Sequence, residues 1–96
     1  MITEIAVLNI KKDKSKDFET AFHKAQTIIS ASKGYIQHEL LKCMEQADKY
    51  LLIVQWQTLE DHTEGFRKSK TYNEWKRLLH HFYEPFPTVE HYKKIF

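Results

Sequence analysis

The sequence is poor in cysteine, glycine and proline: its 96 residues include one cysteine, two glycines and two prolines. A single cysteine, Cys43, excludes an internal disulfide and argues against a cysteine-based metal cage. With Gly34 and Gly65 as its only glycines, the chain lacks a glycine-rich loop that could cradle phosphates. It also lacks the Gly-x-Ser-x-Gly turn of α/β hydrolases. Disulfide scaffolds, phosphate-loop nucleotide binding and this kind of hydrolysis are therefore disfavoured.

Long apolar runs and an excess of charge are also missing. No stretch approaches the roughly 18 apolar residues needed to span a bilayer, and no signal-peptide pattern opens the chain. We therefore expect a cytoplasmic protein without membrane contact. The formal net charge is +2, and the lysines are scattered among acidic residues. This balance disfavours a nucleic-acid partner.

Hydrophobic residues make up 42% of the chain and aromatic residues 14%, which is enough for one packed core. The length predicts a single domain covering residues 1–96. Segments rich in β-branched and aliphatic residues predict four strands. These strands cover Ile2–Ile10, Tyr35–Met44, Lys49–Thr58 and Thr88–Ile95.

Helical spacing of apolar residues appears between the first two strands and between the last two. Ser15 is a plausible cap for the first helix, which should end near Gly34. Thr58 and Thr71 each open a capping-box pattern, which predicts that the second helix is split in two. Pro85 then ends the helical region. The order predicts an α+β, ferredoxin-like β-α-β-β-α-β fold with a split second helix and an antiparallel sheet.

The first and third strands carry apolar residues on both faces. On the first strand, Ile5 and Val7 point to one side while Ala6 and Leu8 point to the other. Helices cover only one face of a ferredoxin-like sheet, so a wet second face should be polar. We therefore predict a closed homodimer in which the second faces pack together. Burying about 600 Å² per subunit would contribute on the order of 15 kcal/mol before association costs.

Six histidines raise the question of a metal site. No two of them lie three or four residues apart on one helix face, and no cysteine or acidic cluster joins them. We therefore predict no metal ligands.

Aromatic residues are concentrated between the third and fourth strands. They can simply form core, or they can line an apolar pocket for a flat aromatic ligand between the sheet and the split helix. The candidate pocket residues are Trp56, Phe66, Tyr72 and Trp75. The polar candidates for the chemistry are Asn9, His62 and His91, although each of them can also have a purely structural role.

One segment resembles a known family. From Trp56 through His62 and Phe66 to Ser69, a strand, a tryptophan, a short acidic cap, a histidine, an aromatic residue and a serine follow one another. The order resembles antibiotic biosynthesis monooxygenase domains, and the closing segment 87–92 resembles the last strand of that family. Together with the first strand and the element order, the resemblance covers nearly the whole chain.

The resemblance implies a dimeric α+β barrel with a ligand pocket in each subunit. It also implies a monooxygenase without metal, flavin or haem, which oxidises a small aromatic or polycyclic phenol to a quinone. In such enzymes the deprotonated substrate passes an electron to oxygen, while the protein supplies shape, dryness and hydrogen bonds. Asn9, His62 or His91 would stabilise the substrate anion or take its proton. No cofactor is expected.

Two alternatives remain open. Other relatives suggest a small-molecule isomerase or a binding protein of the same fold. A haem-degrading branch of the superfamily is the less favoured alternative, because the positions of its tryptophan and its haem-ligating histidine fall on Phe66 and Lys76. His80 or His81, one turn later, could substitute for that histidine.

Overall fold

The computed structural model describes all residues 1–96 and shows a four-stranded sheet that is covered by helices on one side. The strands lie in the order β2-β3-β1-β4, and every neighbouring pair is antiparallel. The elements are β1 (Ile2–Asn9), α1 (Ser15–Ser30), β2 (Tyr35–Lys42), β3 (Lys49–Trp56), a π-helical segment (Asp61–Phe66), α2 (Lys70–Leu79), a 3₁₀ turn (His80–Phe82) and β4 (Val89–Tyr92). The predicted ferredoxin-like α+β fold, with its second helix broken in two, is confirmed.

The core lies between the sheet and the helices. On β1, Ala6 and Leu8 are buried and lie opposite Leu52 and Tyr50 of β3. Phe18 and Ile29 of α1 pack onto this face and are almost completely buried. Because strand side chains alternate, the helix-facing row of β1 runs through every second residue from position 4.

Two of the three predicted helix caps differ from the structure. Ser15 is the first helical residue, and its hydroxyl donates to Asp48 Oδ1 at 2.5 Å instead of capping α1. The cap of α2 is Ser69, whose Oγ accepts from the Tyr72 N–H at 3.2 Å, so the prediction of Thr71 is wrong. The cap at Thr58 is confirmed, because its Oγ1 accepts from the Asp61 N–H at 3.1 Å. Ser69 and Thr71 both lie near the start of α2, and the path of the chain decides which of them caps it, whereas α1 begins after Lys14 without a side-chain cap.

Gly34 lies in the loop between α1 and β2 and packs against the start of the π-helical segment. Helix α1 ends at Ser30, earlier than predicted, and Gly34 has a φ of +81°, which favours glycine. A Cβ at this position would collide with the Asp61 carboxyl group. The loop therefore packs tightly against the segment that carries His62 and fixes where that segment begins.

The second face of the sheet remains apolar at its centre. Ile5, Leu51 and Ile53 are half-buried there, while Val7 and Leu41 are 41% and 44% exposed. The prediction that both faces of β1 and β3 are apolar therefore agrees with the structure. No helix of the protein is both long and apolar enough to cross a membrane.

Candidate functional site

A cavity of about 200 Å³ lies between the sheet and the two parts of the broken helix. Ten of its 15 lining residues are hydrophobic, so a ligand inside would be held mostly by apolar contacts. The lining includes Glu4 of β1, His62, Phe66 and Arg67 of the π-helical region, Tyr72 and Trp75 of α2, and Tyr83 and Phe86 of the loop that follows.

The π-helical segment delivers two of the cavity side chains. His62 and Phe66 are both buried, with 3% and 2% of their surface exposed, and both line the cavity. Their rings stack nearly parallel, with centroids 6.4 Å apart. A π-helical turn is wider than an α-helical one and is frequent at functional sites. The break in the second helix therefore shapes this wall.

Trp56 supports the wall from behind. Its side chain is completely buried at the end of β3 and is not among the residues that line the cavity. The indole stacks on the His62 ring with centroids 5.2 Å apart and an interplanar angle of 16°. The indole Nε1–H donates to Glu4 Oε1 at 2.9 Å. Trp56 therefore holds both Glu4 and His62 in place.

Three titratable side chains are in contact beside the cavity. His62 Nε2 lies 3.4 Å from Glu4 Oε1, and His62 Nδ1 forms a 2.8 Å hydrogen bond with His91 Nε2. Strand pairing supports this arrangement, because Glu4 on β1 lies directly opposite His91 on β4. The contacts give a continuous path from the cavity wall to the edge strand.

Burial shifts the ionisation of these groups. Loss of solvent raises the pKa of Glu4, although the hydrogen bond from Trp56 and the Arg67 charge partly oppose that rise. Burial, with the nearby charges of Arg67 and His91, lowers the pKa of His62 to about 3. The pKa of His91 is lowered as well, first by burial and then by Arg67. The two histidines are therefore neutral near pH 7 and can each donate and accept a hydrogen bond.

The mouth and far wall of the cavity carry other polar groups. Arg67 is exposed, lines the cavity and has no acidic partner within salt-bridge distance. Burial raises the pKa values of Tyr72 and Tyr83. Both phenols therefore stay protonated near neutral pH and are available as hydrogen-bond donors.

The structure brings together most of the residues that the sequence nominated. Phe66, Tyr72, Trp75 and His62 line the cavity. Trp56 lies behind His62, and His91 joins the site through its bond to His62.

Asn9 lies elsewhere. It shares the second face of the sheet with Ile5 and Val7, does not line this cavity, and its carbonyl accepts from the Glu84 N–H at 2.8 Å. The sequence correctly grouped Asn9 with Ile5 and Val7, but these residues occupy the face opposite the helices. Its predicted chemical role stays a prediction.

Sequence reasoning missed Glu4, Arg67 and His80 as lining residues. Tyr83 and Phe86, which also line the cavity, belong to the aromatic-rich region that the sequence offered as a pocket wall, although they were not chosen as its candidate residues. A signal for Glu4 was present, because it precedes Ala6 by two residues and alternation places both on the buried face. A carboxylate in such a row is unusual, since Glu is almost never buried without a partner. Arg67 directly follows the π-helical segment and His80 directly follows α2, and at such helix ends sequence periodicity gives no direction for a side chain.

No group of three or more His, Cys, Asp or Glu side chains is placed to hold a metal ion. Both ring nitrogens of His62 instead contact protein groups: Nε2 faces Glu4, and Nδ1 is hydrogen bonded to His91.

Comparison with known proteins agrees with this fold. Residues 1–78 match the family model described as antibiotic biosynthesis monooxygenase. The uncharacterized protein YczJ of Bacillus subtilis (strain 168) is 60% identical over 95 residues, which are 99% of this chain and all of that protein.

Solved structures share the fold over nearly the whole chain. A Bordetella bronchiseptica protein that carries the family's name superposes with a TM-score of 0.93 at 28% identity, covering 99% of this chain and 97% of its own. SnoaB of Streptomyces nogalater, described as a cofactor-independent oxygenase, superposes with a TM-score of 0.73 at 17% identity, covering 94% and 86%. The chain therefore belongs to the antibiotic biosynthesis monooxygenase family.

Proposed function

We propose that the protein is a cofactor-independent monooxygenase that oxidises a small phenol to a quinone. The observation that supports this function best is the apolar cavity, in which aromatic walls meet one buried carboxyl group and one buried histidine. Family membership and the resemblance to SnoaB point the same way.

In this reaction the protein supplies proton transfer, stabilisation of the anion and exclusion of water, while the substrate itself supplies the electrons. A phenol with a free para position loses its hydroxyl proton, and the electron-rich anion transfers an electron to O₂. One oxygen atom enters the ring and the other leaves as water, so phenol and O₂ give quinone and H₂O. His62, which lines the cavity, and His91, which is hydrogen bonded to it, would handle the departing proton, and the Arg67 guanidinium would stabilise the anion. The aromatic walls exclude water from the reactive intermediate.

The volume of the cavity favours a small substrate over a polycyclic one. About 200 Å³ is only slightly larger than a cavity of about 150 Å³ that accommodates benzene. Phe66 and Trp75 meet nearly edge to face and give the wall a flat, fixed shape. We therefore propose a ligand with one ring, or two small fused rings, and expect three-ring phenols to require movement of the walls.

A second copy of the chain is the proposed partner at the open sheet face. Five apolar residues form a continuous patch there, because Val7 pairs with Leu51, Leu51 pairs with Leu41, and Ile5 pairs with Ile53. Glu39 and Glu90 flank the patch and would form the polar rim of the interface. A two-fold axis through the patch would give the dimeric α+β barrel that the family resemblance implies.

Oxygen uptake with isotope labelling tests the proposed function. Metal-stripped protein is mixed with one-, two- and three-ring phenols under ¹⁸O₂, and both uptake and label in the quinone are measured. We expect uptake above the rate without protein, with one ¹⁸O atom in the quinone and little hydrogen peroxide. Peroxide formation without label would indicate simple oxidation and contradict monooxygenation. The Phe66→Ala variant, which enlarges the cavity, should shift the preference toward larger phenols.

An isomerase is the second candidate, because a buried carboxyl next to a neutral histidine can also move a proton between two carbon atoms. This reading predicts no oxygen uptake but exchange of carbon-bound hydrogen with solvent for small hydroxy-ketones. Haem degradation is disfavoured, since the position expected for the haem ligand is the exposed Lys76 and the cavity is small.

A further inference from the structure

The Glu4 carboxyl group is the least expected feature of the cavity. It is only 5% exposed and lies in the middle of the core face of β1. Burying a carboxyl group costs several kcal/mol unless its partners compensate, and apolar replacements of buried ion pairs are often neutral or stabilising. Stability alone therefore does not explain a glutamate at this position.

The contacts of Glu4 leave one oxygen for a ligand. The hydrogen bond from Trp56 and the contact with His62 both involve Oε1. The structure has no hydrogen bond to Oε2, and Oε2 is not among the fully buried atoms, as expected for a carboxyl group in the cavity wall. A ligand hydroxyl in the cavity can therefore approach Oε2 while Trp56 keeps the carboxyl group oriented.

A path for a proton leads away from this carboxyl group. His62 Nε2 is 3.4 Å from Oε1, which is longer than a good hydrogen bond, and such contacts often tighten when a ligand binds. His62 Nδ1 is already hydrogen bonded to His91 Nε2 at 2.8 Å. His91 is half-buried on the edge strand β4, so the path ends near the protein surface.

We propose that Glu4 is a catalytic base that takes the hydroxyl proton of the substrate, and that His62 and His91 conduct this proton to the surface. This inference rests on the proposed function, which supplies the phenol. The ligand O–H bond breaks as an O–H bond forms on Glu4 Oε2. A half-turn of the now neutral carboxyl group exchanges its two oxygens, so that this O–H faces His62 and Trp56 donates to the same position as before. The proton then moves to His62 Nε2 while His62 Nδ1 releases its proton to His91 Nε2, and His91 loses one proton from its other ring nitrogen to water. No electrons are gained or lost in this sequence.

Other charged and titratable groups around Glu4 support the direction of transfer. Arg67 of the π-helical region acts electrostatically on Glu4, and its positive charge favours a phenolate in the cavity over a neutral phenol. Tyr72 and Tyr83 interact electrostatically with Glu4, but burial keeps both phenols protonated. His80 also lines the cavity, and burial, with the Lys76 charge, lowers its pKa, as burial lowers the pKa of His62, so that both histidines bind a proton less readily than usual. Burial instead raises the pKa of Glu4, which is therefore the group of the cavity wall best suited to accept a proton.

The first test uses 4-nitrophenol, whose anion is yellow and which lacks the reactivity of the proposed substrates. The spectrum is recorded one pH unit below the probe's own pKa. We expect wild-type protein to bind the probe as the coloured anion. Glu4→Gln should bind it within about threefold of the wild-type affinity but with about tenfold less anion, since an amide cannot take the proton. The matched control is Glu45→Gln, which makes the same change at an exposed residue of the β2–β3 turn and should behave as wild type.

Failure of wild type to bind the anion, or an unchanged spectrum in Glu4→Gln, would overturn the role of Glu4. Near-UV circular dichroism shows whether each variant is folded. If Glu4→Gln does not fold, Glu4→Asp takes its place: it keeps an ionisable group but withdraws it from the cavity, and should retain the colour with an altered pH dependence. Colour independent of pH in Glu4→Asp would equally contradict the proposal.

Stopped-flow measurements test the path through the histidines. In wild type, the colour change and the release of a proton to a pH indicator should have the same rate. In His62→Gln the colour should still form, while proton release lags by about tenfold. Equal rates in this variant would show that the proton leaves by another route.

The result also separates this inference from the proposed function. A coloured complex without oxygen uptake for any phenol would reject the monooxygenase and leave the role of Glu4 standing. Oxygen uptake with the same pH profile in Glu4→Gln and wild type would reject the role of Glu4 and leave the monooxygenase standing.

Discussion

The two faces of the same four strands have opposite characters. The helix-covered face is sealed by aromatic and aliphatic residues, yet it contains the buried Glu4 and His62. The open face has an apolar centre at Ile5, Val7 and Ile53 and keeps its carboxylates at the flanks. The more completely buried face therefore holds the buried polar groups, while the face with more exposed surface is apolar at its centre.

This difference shows how one strand can serve two purposes. A polar group becomes reactive where water is excluded, so Glu4 belongs on the covered face, and Trp56 and His62 compensate for its burial. An apolar patch on the open face gains free energy only if another surface covers it. The proposed chemistry and the proposed dimer contact therefore involve alternate residues of β1.

The largest expected effect is on dimer association through the open face of the sheet. Ile53→Lys places a charge in the centre of the proposed interface, and two-fold symmetry applies the change twice. We expect loss of about 5 kcal/mol of association free energy, or several thousandfold in the dimer dissociation constant. Sedimentation velocity at micromolar concentration measures it, with Ile53→Leu as the control that should stay dimeric. A wild-type protein that sediments as a monomer would refute the dimer.

Phe66→Ala tests the covered face. Phe66 is 2% exposed and packs against Trp56, Tyr72 and Trp75. We expect a loss of about 3 kcal/mol in the free energy of unfolding and a clear change in 4-nitrophenol affinity, with the sedimentation coefficient unchanged. Urea denaturation and equilibrium titration measure the two effects. Phe66→Leu should lose less than half as much stability; unchanged ligand affinity in a folded Phe66→Ala protein would show that the cavity is not the binding site.

The third prediction concerns pH and His62. The folded protein keeps His62 neutral, with a pKa of about 3, while the unfolded chain binds a proton near its ordinary value of 6.5. Stability therefore falls as the pH drops below about 6, by up to about 1.4 kcal/mol for each pH unit.

His62→Gln should remove this part of the pH dependence. Glu4, whose pKa is raised by burial, acts in the opposite direction, so the comparison uses the difference between wild type and variant at each pH. Urea denaturation between pH 7 and 5 measures that difference in the free energy of unfolding. Over this range the difference should change by at most roughly 1.4 kcal/mol for each pH unit. Parallel curves would mean that His62 is protonated in the folded state.

The smallest expected effect is that of Asn9→Ala on ligand affinity. Asn9 lies on the open face, so this variant tests whether ligand binding depends on the covered face alone. Asn9→Ala should alter the affinity of 4-nitrophenol by no more than about twofold, since the side chain does not line the cavity. If Asn9→Ala nevertheless abolishes oxygen uptake, the catalytic role predicted from the sequence would be correct and would have to act across the open face.

The sequence was sufficient for the features that depend on local spacing. Alternation and helical periodicity predicted the four strands, α1 and the broken second helix. The hydroxyl group of Thr58 marked one helix start correctly. The caps of α1 and α2 were misassigned by one and two residues, because Lys14, Ser15, Ser69 and Thr71 offer competing starts that only tertiary packing resolves.

What the sequence determined by itself was the order of elements, the two-faced strands and a concentration of aromatic residues near the C-terminal half, because these depend on neighbours along the chain. Which face the helices cover was decided by the tertiary structure, and with it the separation of Asn9 from His62 and the approach of Glu4 to Trp56 across 52 positions. Strand pairing also decided that His91 would meet His62, since β4 returns beside β1. Alternation defines two faces of a strand, but only packing distinguishes the inside from the outside.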